Sequence, residues 1–196
     1  MHEPPPTDTR IFLTGVSCIG KTAVGEELAT LLSVDFFDLD GEVEKFFETS
    51  IERLQNRFLT IHSYREKAAE ALAHLLARPE SRASVIALPP SGLMGGYLRA
   101  IRKSTGITVA LSDTPENILA RIRFYDIDSN PIEKVLTAEE RKDYLKEIKK
   151  DITYFRTSYK RADLTVDIAG LDIVGAARRV RRKVEAFERS VGKPQA

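Results

Sequence analysis

Eight consecutive residues, Gly15-Val16-Ser17-Cys18-Ile19-Gly20-Lys21-Thr22, carry the most legible chemistry in this chain. They fit G-x-x-x-x-G-K-[ST], a spacing with a physical basis. Glycines let successive backbone N–H groups face one anion, and the helix that follows adds partial positive charge at its N-terminus. The lysine then reaches the outer phosphates, and the threonine hydroxyl suits Mg²⁺. The flanks agree, because Ile11-Phe12-Leu13 reads as a strand leading into Gly15 and an amphipathic helix leaves Thr22. The segment from Gly15 to Thr22, with the adjoining Ala23, therefore predicts binding of a nucleoside triphosphate with Mg²⁺. Cys18 lies inside the loop, where neighbouring N–H groups and Lys21 favour its thiolate. A small side chain that merely fits there is the plainer reading.

A second chemical feature is the pair of carboxylates in Phe37-Asp38-Leu39-Asp40, at the end of the next predicted strand. Alternation places Asp38 and Asp40 on one side, close to where a terminal phosphate would lie. The same residues also suit a helix start, since Asp is a favoured N-cap.

The elements that must position these residues follow a βαβ rhythm. Predicted strands are Ile11–Leu13, Asp35–Asp38, Ser84–Leu88, Ile107–Leu111 and Leu164–Ile168. Predicted helices are Lys21–Leu32, a helix-rich block over Gly41–Ala77, Leu93–Lys103, a short helix from Pro115 to Arg123, Ala138–Lys160 and Ile173–Glu188. Alternating strands and helices predict a three-layer α/β/α P-loop fold with a five-stranded parallel sheet, ligands lying at the carboxyl ends of the strands. Residues 124–137 lack a sustained period and read as a lid over the site. The leader 1–9, with Pro4-Pro5-Pro6, and the tail 189–196 read as loose, leaving one domain over 10–188.

Composition narrows the function classes. The 196 residues are 42% hydrophobic with a formal charge of +1, which excludes a disordered chain and a strongly basic polyanion binder. A single cysteine allows no internal disulfide, no apolar run approaches a membrane span, and a cytoplasmic, monomeric protein with no membrane or nucleic-acid partner is expected. The run Arg178-Arg179-Val180-Arg181-Arg182-Lys183 alternates with buried-type valines and reads as a solvated helix face rather than an RNA contact.

Taken with Asp38-Leu39-Asp40, the acidic helix up to Ser50-Ile51, Tyr64-Arg65 and the late Arg156…Tyr159…Ala162-Asp163 segment, the phosphate loop makes the chain resemble the shikimate kinases, as a divergent member. The resemblance spans about Arg10 to Phe187. It implies an ATP- and Mg²⁺-dependent transferase, of aromatic amino acid biosynthesis, that moves the γ-phosphoryl group to a hydroxyl of shikimate or a similar hydroxy acid. It also implies that Lys21 and Asp38 are catalytic, that Thr22 and Asp38 hold the metal, that Asp40 accepts from substrate hydroxyls, and that Arg65 and Arg156 clamp a carboxylate. A helix-surface ion pair is the other reading of Arg156. The adenine loop would fall at Asp167–Gly170.

Two departures stand out. After the third strand the family has a run of glycines, whereas this chain has Leu88-Pro89-Pro90-Ser91-Gly92, in which two presumed N–H donors are missing and Gly92 is the candidate for a shifted one. Before the lid proline the family has an arginine, whereas this chain has Asn130-Pro131. Arg121, as a nucleotide contact, and Arg123, as a catalytic cation, are the natural substitutes, and the acidic Asp126 and Asp128 weigh against fast turnover. A kinase for another polyol or acid, and a weakly catalytic nucleotide- or ligand-binding module, are the alternatives.

Overall fold

In the computed structural model, which describes residues 9–122, 124–125 and 131–191, strand β1 (Arg10–Thr14) is buried along its whole length. A strand with both faces covered has no solvent side, which is why Arg10-Ile-Phe-Leu-Thr14 shows an apolar run rather than alternation. Around it lie β2 (Asp35–Asp38), β3 (Ser84–Ala87), β4 (Ile107–Ser112) and β7 (Leu164–Asp167), in the order β2-β3-β1-β4-β7, each ladder parallel. The expected five-stranded parallel sheet is therefore present, with the less buried β2 and β7 at its edges.

Neighbouring residues of the central strands point into opposite layers. Ile11, Leu13 and Val85 join one apolar cluster with helix α1 (Lys21–Leu32) and helix α8 (Ile173–Val191). Phe12 and Ile86 join the other, with α2 (Leu39–Phe47), α4 (Ile61–Ala77) and α5 (Gly95–Arg102). The helix-rich block thus resolves into α2, the short α3 (Ile51–Gln55) and α4, each started by a side-chain cap from Asp38, Ser50 and Thr60 respectively.

Helix α6 (Pro115–Ala120) starts with Thr114 as cap and Pro115 in its first turn, and it stops at Ala120 rather than Arg123. Helix α7 (Ala138–Tyr159) begins with a capping box between Thr137 and Glu140. Between them, the segment read as an irregular lid contains a short antiparallel ladder, β5 (Phe124–Tyr125) with β6 (Pro131–Ile132), too short for any sequence period to reveal. The base of this lid is fastened to α7, where Lys134 pairs with Glu140 at 2.9 Å and lies over the rings of Phe124 and Tyr144. At the other end α8 continues to Val191, three residues past the predicted stop at Glu188. The leader up to Asp8, Arg123, lid residues 126–130 and the tail after Val191 lie outside the described residues.

Candidate active site

The chain leaves β1 at the buried Thr14 and turns at Gly15, whose φ of +150° suits glycine. A Cβ there would also stand 3.0 Å from the Leu111 carbonyl oxygen and from Ile19 Cγ2. Val16 and Ile19 are buried and anchor the loop, leaving Ser17 and Cys18 at its exposed crest, Cys18 in the left-handed region at φ 60°. Gly20 caps α1 without any side-chain bond, and the first turn carries no acid, so the N–H groups of that turn remain available to an anion.

Lys21 Nζ donates to the carbonyls of Gly15 and Val16, both at 3.0 Å, which holds the ammonium over the loop. Burial pulls its pKa down to about 8, against the opposing pull of Asp40, Asp38 and Cys18. The reactive-thiolate expectation for Cys18 is corrected here. Partial burial pushes its thiol up, and the nearby Lys21 only partly offsets that.

Thr22 donates its hydroxyl to Asp38 at 2.7 Å. The other Asp38 oxygen accepts from the Asp40 N–H at 3.0 Å, making Asp38 the cap of α2. Placing both aspartates on the strand therefore needs correction, because Asp40 sits in the first turn of α2. Both readings of Asp38 hold together, since one carboxylate caps a helix with one oxygen and meets Thr22 with the other. Asp38 and Asp40 still line one pocket with Lys21 and Thr22. Burial, followed by repulsion from Asp38, raises the Asp40 carboxyl, and Lys21 counters part of that. A hydroxyl and a carboxylate in contact are hard oxygen donors, and Mg²⁺ characteristically takes one or two such ligands and completes its shell with water and phosphate oxygens. The pair fits that ion.

The pocket encloses about 930 Å³, within the roughly 300–1,000 Å³ of small-molecule sites. Its lining also draws on Ala120, Arg121 and Ile122 at the end of α6 and on Ile168, Leu171–Ile173 and Ala176 around the start of α8. The lining thus takes Ile168 from the segment Asp167–Gly170 and continues into the start of α8. Arg121 is held by the fully buried Asp113 carboxylate at 2.5 Å and reaches the Ile19 carbonyl at 3.4 Å. It joins the α6 end to the phosphate loop, with part of its charge committed to Asp113. The burial of Asp113 against Arg121 is a tertiary fact that no local pattern reveals.

A second cluster of polar groups joins α3, α4 and α5. Tyr64 is buried, and its hydroxyl shares hydrogen bonds with Gln55 and with Tyr97, itself 1% exposed. Asp40 and Arg65 both act on the Tyr97 hydroxyl, so acid, cation and phenols form one neighbourhood. Arg65 is half-buried and, among the described residues, has no hydrogen bond or ion pair.

The turn after β3 closes on itself. Gly92 N–H donates to the Pro89 carbonyl at 2.8 Å and Met94 N–H to that of Ser91 at 2.9 Å. The Gly92 donor is thus spent inside the turn, which corrects its role as a free substrate donor. Gly92 is needed for close approach, since a Cβ would stand 2.5 Å from Leu88 Cβ. Gly96 N–H likewise goes to Glu66 at 3.0 Å. Arg161, which sequence reasoning missed, donates to the Leu93 carbonyl at 3.0 Å and secures this turn from the α7–β7 connection. Arg156 lies exposed in the last turn of α7 and is not brought to the pocket lining.

The family model for shikimate kinase matches residues 17–168. A shikimate kinase of Chlorobium phaeobacteroides is 29% identical over 187 residues, covering 94% of this chain and 91% of that protein. One from Thermus thermophilus is 30% identical over 144 residues, covering 70% of this chain and 76% of its own. The structure of a shikimate kinase from Acinetobacter baumannii in complex with shikimate superposes with a TM-score of 0.63 at 25% identity, covering 96% of this chain and 97% of that one.

Proposed function

Because the chain belongs to the shikimate kinase family, we propose that it transfers the γ-phosphoryl group of ATP to a hydroxyl of shikimate, with Mg²⁺ as cofactor. The observation that carries this reading is the meeting of a complete phosphate loop with two further groups in one region. Asp40 stands in the field of Lys21, and Arg65, a half-buried guanidinium with no carboxylate partner among the described residues, acts with Asp40 on the Tyr97 hydroxyl. Phosphoryl transfer is achieved by positioning and charge neutralisation, and these residues supply both. The loop N–H groups and Lys21 hold the triphosphate. Mg²⁺, held through Thr22 and Asp38, would neutralise phosphate charge.

Asp40 accepts a hydrogen bond from the substrate hydroxyl and orients it towards the terminal phosphate. Arg65 takes the substrate carboxylate in the bidentate geometry that guanidinium offers. Arg121, and Arg123 at the lid, provide cations in place of an arginine before Pro131. A monomer is sufficient for this chemistry, since every group comes from one chain, and no helix among the described residues is long and apolar enough to cross a membrane.

Coupled detection of ADP with MgATP tests the proposal. Release that requires shikimate and disappears in Lys21→Ala and Asp40→Asn is expected. Release with a different hydroxy acid alone would move the assignment to another acceptor, and tight MgATP binding without turnover on any acceptor would make the protein a binding module.

A further inference from the structure

Outside this pocket, the chain concentrates positive charge on α8. The helix carries six Lys and Arg residues against two glutamates, although the whole protein is only +1, so the remainder is net negative. The arginines are not spread evenly around the helix. Arg178, Arg182 and Arg189 fall on one stripe, spanning about 16 Å at 1.5 Å per residue. With Arg179 and Arg181 they border a groove of about 870 Å³ between α8 and the end of α1.

Two of the five are tethered. Arg179 donates to the Asp167 carbonyl at 2.9 Å, while Arg181 pairs with Glu185 at 2.7 Å and reaches the Leu31 carbonyl at 3.4 Å. Arg178, Arg182 and Arg189 are exposed and have no carboxylate partner among the described residues. Guanidinium groups without a carboxylate partner offer several forked donors to one ligand, the geometry that suits phosphate oxygens.

We propose that this groove is a second anion site, separate from the phosphate loop, that takes a small ligand bearing two or more phosphate groups. Its size suits a metabolite-scale molecule. The net negative charge of the rest of the protein disfavours a long polyanion running beyond the helix. Leu31 and Leu171 are the apolar contributors to the lining, so recognition is mainly ionic. Leu171 also lines the nucleotide pocket, and Arg179 holds the last residue of β7 just before Ile168 of that same pocket, so the two sites share a wall.

Calorimetric titration of the full chain with inorganic tripolyphosphate in metal-free buffer tests this. Two binding events are expected, one at the phosphate loop and one on α8. Lys21→Ala should remove the first and retain the second. The Arg178→Ala/Arg182→Ala double variant should weaken the second by about tenfold or more and retain the first, as expected for lost charged hydrogen bonds. Arg178→Lys/Arg182→Lys should recover only part of the affinity if forked donors matter. A single event abolished by Lys21→Ala, or a double variant that titrates like the unmodified protein, would overturn the proposal. Equal binding of citrate would overturn the phosphate preference. A short RNA binding more than tenfold tighter than tripolyphosphate would show the face to be a nucleic-acid contact instead.

Discussion

The Thr22 hydroxyl and the Asp38 carboxylate, sixteen positions apart, meet at 2.7 Å across the start of two helices. Through this contact the residue that caps α2 also fixes the side chain leading α1. The Thr22 contact and the start of the helix that carries Asp40 are therefore built on one carboxylate.

That double duty can be separated by substitution. Asp38→Asn keeps a good N-cap and loses the charge, so stability should stay near that of the unmodified protein while turnover falls roughly a hundredfold or more. Asp38→Ala should lose the same turnover and in addition about 1 kcal/mol of stability. Urea unfolding beside the coupled assay checks both; equal stability of the two variants would remove the capping role.

Lys21 predicts two pH dependences of opposite consequence. Its pKa of about 8 in the fold lies below the unfolded value of 10.5, so the cost of burying its charge is fully present below pH 8. Between pH 8 and 10.5 the unfolded chain binds more protons, and this group's contribution makes stability rise with pH. Lys21→Met should therefore be more stable than the unmodified protein at pH 7, by a margin that shrinks across that window. Nucleotide affinity should move the other way, falling above about pH 8 by up to tenfold per unit as the cation is lost. Lys21→Arg keeps its charge and should flatten that binding profile.

Much of this is legible in the sequence alone. The phosphate loop is local, and each of its residues answers a local demand for backbone conformation or charge, so pattern and place coincide. The parallel strands were legible because burial on both faces removes alternation, as in Arg10–Thr14. Boundaries were less so: Asp40 belongs to α2 because Asp38 turns its carboxylate back to cap it, a choice that alternation cannot reveal. The Asp113–Arg121 pair, the Tyr64–Tyr97 contact and the Arg161 tether depend on segments distant in sequence. The arginines of α8 were visible as a run, but the groove needs α1 opposite them.

Two glycines give contrasting expectations. Gly92→Ala would press a methyl to 2.5 Å from Leu88 Cβ and 3.1 Å from the Pro89 carbonyl oxygen. It should cost about 1–3 kcal/mol and raise the KM for the acceptor, since the turn must move. Gly41→Ala, inside α2 with nothing within 4 Å, should stabilise by up to about 1 kcal/mol. Thermal unfolding of the two variants in parallel checks the signs.

Arg65 separates the two substrates. Its guanidinium has no protein carboxylate among the described residues and acts with Asp40 on the Tyr97 hydroxyl. Arg65→Lys keeps the charge and loses the fork, so the KM for shikimate should rise by roughly tenfold or more while the KM for ATP stays within about twofold. Equal changes in both constants would place Arg65 in the framework instead of the acceptor site.

Cys18 stands at the exposed crest of the loop, and burial of its sulfur raises the thiol pKa despite Lys21 nearby. The thiolate is the reacting form, so alkylation by iodoacetamide at pH 7 should be slower than that of free cysteine and should speed up as pH rises past about 9. Once complete, the modification places a carboxamidomethyl group where the phosphates must pass the loop N–H groups, and MgATP binding should be lost. Saturating MgATP should in turn protect the thiol. Mass spectrometry of the labelled fraction against time, with and without nucleotide, measures both. Labelling at the free-cysteine rate would contradict the burial effect, and full nucleotide affinity after complete labelling would place the sulfur outside the path of the phosphates.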